Sequence, residues 1–186
     1  HPNIAELHLH PLLANDNELT IIDASIRLQP FQGEAQKRLA IRPYPKECET
    51  MAILKNGHSV FFRPILPEDE PMHKAFIQSV STEDRYRRFF SNIGEFNHEI
   101  LANFTQIDFD REMAFIAIDH TQTNDDQINT ASIIGVVRAL IESDKTQAEF
   151  AILIQSNLKG VGLGMALMKK IIHYTQRQGI QYLKGM

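Results

Sequence analysis

The stretch from Gln147 to Leu183 constrains the fold more than any other part of the chain. An apolar run, 147–155 (QAEFAILIQ), ends in a loop, Lys159-Gly160-Val161-Gly162-Leu163-Gly164, which opens into a helix-periodic segment reaching about Gln178. Gly179 then caps that helix, and Ile180 to Leu183 reads as a further strand. The alternate glycines let backbone N–H groups turn into the loop with no Cβ in the way. Unpaired amides at a helix start, together with about half a positive charge from the helix dipole, suit an anion such as a pyrophosphate. Lys159 at the loop mouth adds a cation. A Walker loop is excluded because no Lys-Ser/Thr follows the glycines, and the G-x-G-x-G spacing departs from the Rossmann G-x-G-x-x-G fingerprint. A tight turn whose small residues permit close packing is the other reading of these glycines.

Upstream, 112–119 (EMAFIAID) and 131–142 (ASIIGVVRALIE) are strand-like, separated by a polar loop from Thr121 to Asn129. Asp144-Lys145 supplies the next turn, so with 147–155 these runs form an antiparallel meander. Met51–Leu54 and Ser59–Pro64 flank Lys55-Asn56-Gly57, a strong hairpin signal. Pro67-Glu68-Asp69 opens a helix with Phe76, Ile77 and Val80 inward. Ser81 to Asp84 begins a second with Tyr86, Phe89 and Phe90 inward, and Asn97 to Phe104 forms a third. The order of elements predicts an α/β fold of the α+β type, a mixed and mostly antiparallel sheet flanked by helices.

The first 28 residues read differently. Strands at 4–9 and 19–28 surround an Asn15-Asp16-Asn17 turn, and two such strands alone bury too little to be stable, which predicts the remnant of a larger domain at 1–28. Residues 29–49, broken by Pro30, Gly33, Pro43 and Pro45, read as a linker in which only Arg38 to Arg42 is strand-like; the second domain is expected over 50–186. The 186 residues carry 19 basic and 23 acidic side chains, a net charge of −4, which gives no bulk electrostatic case for nucleic acid or membrane partners. One cysteine, Cys48, cannot form an internal disulfide and fits a reducing cytoplasm. The longest apolar runs fall far short of the ~18–20 residues that span a bilayer. The eight histidines form no helical H-x-x-x-H pair, so no metal is expected.

The strand, KGVGLG loop, helix and strand of 147–183 resemble motif A of the GNAT acetyltransferases, Gln/Arg-x-x-Gly-x-Gly/Ala, with Gly162 and Gly164 on its glycines and Lys159 where Gln or Arg is usual. HSVFFRPILPEDE (58–70) is similar to the family's opening strand and helix, and STEDRYRRFFS (81–91) to the helix pair of its protein-acetylating members, so the resemblance covers some 130 residues. IAELHLHPLL and TIIDASIRL are similar to the end of an ATP-grasp domain of acyl-CoA synthetases, with Glu6 on an acidic metal ligand and His10 where Asn is usual. Imidazole prefers softer metals than Mg²⁺, which speaks against ATP chemistry there. Synthetase-like region, proline-rich linker, GNAT domain: that order resembles the Pat-like bacterial protein lysine acetyltransferases, of which this chain would be a C-terminal fragment.

The resemblance implies acetyl-CoA as co-substrate, its pyrophosphate on the backbone of Gly160, Val161, Gly162, Leu163, Gly164 and Met165 beside Lys159. It further implies an oxyanion donor in the amide of Ile152 or Ile154. It points to a protein lysine as acceptor, for instance on an acyl-CoA synthetase. A lysine amine must lose its proton before it can attack, about 3.4 units below its pKa at neutral pH. Glu149, thirteen positions before Gly162 and the lone carboxylate between Ala148 and Ile154, is the candidate general base; Glu142 is the runner-up. On an alternating strand Glu149 would otherwise simply face solvent. Arg85, Arg87 and Arg88 would either grip acidic residues around a target lysine or form a solvated helix face. Alternative functions are a small-amine acetyltransferase and a non-catalytic acyl-CoA-sensing module. The GNAT pattern calls for a further helix and strands beyond Met186, so weak activity and an exposed sheet edge that invites a second copy are expected of the fragment.

Overall fold

A computed structural model describes residues 3–33, 41–89, 96–119 and 131–185. They form two compact units, His1–Pro43 and Tyr44–Met186. In the first, β1 (Ile4–Leu9), β2 (Leu12–Ala14), β3 (Leu19–Ile21) and β4 (Ala24–Leu28) make a long antiparallel ribbon, β1 against β4 and β2 against β3. The single run expected over 19–28 is broken at Ile22-Asp23, where the ladder is carried by Ile22 N–H to Pro11 O and His10 N–H to Asp23 O. The Asn15 side chain accepts from the amides of Asn17 and Glu18 and so builds the predicted turn. A two-stranded ribbon offers no second layer, and Leu28 remains 69% exposed.

The second unit begins at Tyr44, within the segment read as linker. Tyr44 packs edge-on against Phe109 and donates to Glu49, and a 3-10 turn at Lys46–Cys48 brings Cys48 against the core. Of the strand-like Arg38–Arg42, residues 38–40 lie outside the described residues, and 41–42 are not strand. Then follow β5 (Thr50–Ile53), β6 (Ser59–Pro64), α1 (Glu70–Ser79), α2 (Thr82–Phe89), α3 (His98–Thr105), β7 (Glu112–Asp119), β8 (Ser132–Ile141), β9 (Gln147–Ile154), α4 (Leu163–Arg177) and β10 (Tyr182–Gly185). The polar loop read at Thr121–Asn129 lies outside the described residues. One six-stranded sheet runs β10-β9-β8-β7-β6-β5, antiparallel except for β10, which is parallel to β9. This is the mixed, mostly antiparallel sheet that the element order predicts. The last strand starts two residues later than expected, because the amides of Gln181 and Tyr182 both go to Thr146 O at its entry.

Helix α4 covers one face of the sheet with the stripe Leu163, Leu167, Ile171 and Tyr174, and α1 and α3 cover the other with Phe76, Ile77 and Leu101. Side-chain alternation along β7 feeds both faces: Met113, Phe115 and Ala117 go to α4, Ala114, Ile116 and Ile118 to the opposite side. The register of β8 slips between its pairs with Ala117 and Ile118, so Ile134 and Gly135 both face α4. A Cβ on Gly135 would stand 2.9 Å from Leu167 Cδ1, which explains why glycine sits in a central strand. On the other face, Arg63 of β6 makes a two-pronged pair with Asp69 at 2.5 and 2.7 Å, and Asp69 also accepts from the Leu66 amide, pinning the entry of α1. Ser81 caps α2 through the Asp84 amide, and Asn97 caps α3 through that of Ile100. Of the α2 residues expected inward, Phe89 packs on Phe96 and Phe104, whereas Tyr86 is 53% exposed. Phe90 lies outside the described residues. The helix presents only one narrow apolar edge to the sheet, and Tyr86 falls off it.

Candidate active site

The glycine loop stands where β9 hands over to α4. A 3-10 turn at Ser156–Leu158 buries Leu158, and Gly160 (φ +85°) and Gly162 (φ +96°) then adopt backbone angles that side-chain-bearing residues rarely take. Gly162 is the N-cap of α4 and offers no capping side chain, so the first-turn amides of Leu163, Gly164 and Met165 face outward uncapped. A Cβ on Gly160 would meet nothing within 4 Å, so the surface over the loop is open. Leu163 is fully buried under the sheet and contributes only its backbone, and Met165 is exposed. The loop is braced by the β5–β6 turn, whose Lys55 donates its amide to Val161 O at 3.2 Å. The Lys55 side chain runs past Gly162, placing an exposed amine beside the loop. Nothing in the sequence links Lys55 to a loop a hundred residues away; only the hairpin's position in the sheet does.

Lys159, expected to serve the anion, is engaged elsewhere. Its Nζ lies 2.7 and 2.8 Å from the two carboxylate oxygens of Asp84 on α2, and Ser156 Oγ donates to the same group at 2.8 Å. These bonds, that of Lys159 foremost, hold the Asp84 carboxyl down at about 2.

Residues 147–150 pair with β10, whose last described residue, Gly185, lies opposite Phe150; among the described residues 151–154 have a partner only in β8. The amide of Gln155 donates to Ile134 O of β8, so strand alternation turns the amides of Ile154 and Ile152 away from β8, toward an edge that no strand of the described residues covers. Their side chains stay in the core, with both Cδ1 atoms 3.9 Å from the position of a Cβ on Gly164. A groove of about 280 Å³ runs along this edge, lined by Ile152, Ile154, Arg88, Asp84 and Lys159 among others. The structure therefore brings together the two amides, the glycine loop and the start of α2.

Glu149 lies on β9 two residues before Ala151, on the face that Ala151 and Leu153 turn to the groove, and about 10 Å along the strand from Ile152. It is exposed, between Leu140 on β8 and Lys184 on β10, and so lacks the enclosed apolar setting its sequence neighbours suggest. Strand alternation sends those apolar neighbours to the other face. Glu142 is exposed at the end of β8, its amide on Gln147 O. In the first unit, Glu6 is held by Arg27 at 2.7 Å and by His8 at 3.2 Å, which lower its carboxyl, Arg27 more than His8. Among the described residues no group of three or more His, Cys, Asp or Glu is arranged to hold a metal, and no helix is long and apolar enough to cross a membrane.

The chain is similar to known proteins in fold and in sequence. The GNAT domain of S. lividans PAT matches with a TM-score of 0.63 at 27% identity, over 74% of this chain and 77% of that one. The chain has the GNAT acetyltransferase fold. A Pseudomonas aeruginosa protein described as acetyltransferase PA5475 is 29% identical over 130 residues, 70% of this chain and 67% of that protein. No family model matches. In fold and in sequence the chain is thus similar to acetyltransferases of the GNAT kind, an enzyme class that uses acetyl-CoA.

Proposed function

We propose that the chain is an acetyl-CoA-dependent N-acetyltransferase acting on protein lysine ε-amines, with acyl-CoA synthetases as a target class and the cytoplasm as its compartment. The observation that carries the reading is the meeting, along one side of β9, of a helix start without a side-chain cap, a positive-φ glycine loop and two amides turned away from β8. The sequence resemblance to protein lysine acetyltransferases favours a protein acceptor.

Acetyl-CoA supplies an acyl group activated as a thioester. The amides of residues 160–165 hold its pyrophosphate, with Lys55 close enough to add a cation. Glu149, directly or through a water, removes the proton from the acceptor ammonium. The neutral nitrogen attacks the thioester carbon, the carbon–sulfur bond breaks, the acylated nitrogen gives up its extra proton, and the departing thiolate takes up a proton. The amide of Ile152 or Ile154 donates to the oxygen on which negative charge develops.

Glu149→Gln keeps the acetyl-CoA affinity measured by calorimetry and lowers CoA release by about 100-fold or more. An active Gln variant removes Glu149 from the mechanism and passes the role to Glu142. Release with small amines only would make the chain a small-amine acetyltransferase. Binding with no release on any acceptor would make it a sensor.

A further inference from the structure

The sheet face opposite α4 buries charge that this mechanism does not use. Arg138 of β8, 7% exposed, pairs with Glu112, donates to Phe104 O and lies 5.2 Å from the centre of the Phe104 ring. His73 of α1, 5% exposed, packs between Phe76 and Phe104, and its Nδ1 has no hydrogen-bond partner among the described residues. Arg88 of α2 is half-buried, 5.1 Å from the Phe89 ring centre, and no carboxylate of the described residues pairs with it. It differs in this from Arg87, which is exposed and bonded to Glu83 at 2.5 Å. Among the described residues, buried Asp69 is committed to Arg63 and partly buried Glu112 to Arg138. A small cavity lies among His73, Phe104, Arg138 and Arg88. Arg88, Ala151 and Leu153 line both this cavity and the groove beside Ile152 and Ile154. Arg88 thus stands at the junction as a cation stripped of part of its water and without a counter-ion among the described residues. Burial lowers the basicity of its guanidinium, the direction expected of an uncompensated charge.

We propose that Arg88 binds a carboxylate carried by the acceptor. The guanidinium's forked donors match a carboxylate in two-pronged geometry, and the partial desolvation already incurred makes that pairing strong. The acceptor amine then belongs to a molecule with an acid group close by, either a lysine beside Asp or Glu or a small amino acid. The inference rests on the reading that the groove admits the acceptor.

Two measurements test it. Isotope-labelled protein is titrated with glutarate while the arginine Nε–Hε signals are followed. A saturable shift of the Arg88 signal, lost in Arg88→Gln, is expected; an unmoved Arg88 signal, or an equal shift of Arg87, overturns the proposal. With acetyl-CoA saturating, CoA release is compared for lysine peptides with Asp or Asn beside the lysine, and for 4-aminobutyrate against its amide. The acid-bearing member of the pair that the enzyme accepts is favoured by about 10-fold or more in kcat/KM. Arg88→Gln abolishes that preference through KM, and Arg88→Lys restores part of it. Equal kcat/KM within both pairs overturns the proposal, and which pair shows the preference identifies the source of the carboxylate. Failure of acetyl-CoA to bind would sink the acetyltransferase reading, while the glutarate titration would still decide the carboxylate site.

Discussion

The two faces of the six-stranded sheet are built from alternate residues of the same strands and bury opposite kinds of chemistry. Under α4 the interior is almost wholly apolar among the described residues; the half-buried Lys170 reaches out to Cys48 O and Thr50 Oγ1 at 2.9 and 2.8 Å. Under α1 and α3 the interior holds Arg63–Asp69, Arg138–Glu112 and His73, whose Nδ1 has no hydrogen-bond partner among the described residues. The first face seats a loop by packing and needs no charge beneath it. The second trades stability for charge placed beside the groove, since a buried ion pair recovers little more than the desolvation it costs.

That contrast is most sharply broken by removing one structural partner from each face. Glu112→Gln leaves Arg138 buried and unpaired, and Leu167→Ala opens a cavity under α4; each is expected to cost about 3 kcal/mol in urea unfolding. Only the first loss is repaired by apolar replacement. The Glu112→Leu/Arg138→Met double variant regains most of the stability, because the penalty lies in uncompensated charge rather than lost volume. A double variant as unstable as Glu112→Gln alone would show that the pair is a net stabiliser and that the faces are more alike than their composition suggests.

The next effect separates the faces by pH. Burial, reinforced by the Arg138 charge, pulls the His73 imidazole down to about 4 from an ordinary 6.5, so the folded protein keeps it neutral. In the unfolded chain the same ring takes a proton below about 6.5. The folded state therefore loses stability as pH falls from about 6.5 to about 4, by up to about 3 kcal/mol, and the loss levels off below. His73→Leu flattens that limb of the stability–pH curve. An unchanged slope would mean that His73 is not the group that titrates. Arg138, drawn down to about 9 by burial and then by the Arg88 charge, remains cationic throughout this window.

Much of this architecture was legible in the chain because it is local. The Asn56-Gly57 hairpin, the caps at Ser81 and Asn97, the apolar stripe of α4 and the glycine loop are each written within a few residues. What escaped the sequence depends on contacts between distant segments. Tyr44 joins the second unit through Phe109 and Glu49, and Lys55 reaches the loop through Val161. The roles within the run Arg85 to Arg88 diverge because helix rotation turns Arg88 toward Phe89 and the sheet and leaves Arg87 in solvent. Glu149 shows the converse: its neighbours in sequence are apolar, but those neighbours belong to the other face.

The smallest effect concerns an ion pair that joins the two faces. Asp84 belongs to α2, on the acceptor side, and Lys159 to the glycine loop, on the α4 side. Lys159 is 55% exposed, so removing the pair costs less than ~1 kcal/mol of stability. What stability Asp84 contributes is present above its unfolded value of 3.8 and fades as pH falls toward about 2. Binding should respond more clearly than stability. With Asp84 ionised, the Lys159 amine is occupied and a negative charge sits beside the loop meant for an anion. Asp84→Asn frees the one and removes the other, so the acetyl-CoA dissociation constant measured by calorimetry is expected to fall by about threefold, with a steeper salt dependence. Lys159→Met moves it the opposite way. If Asp84→Asn instead weakens binding, Asp84 is holding the loop in its binding shape through Ser156 and Lys159, and the two faces are coupled by support rather than by competition.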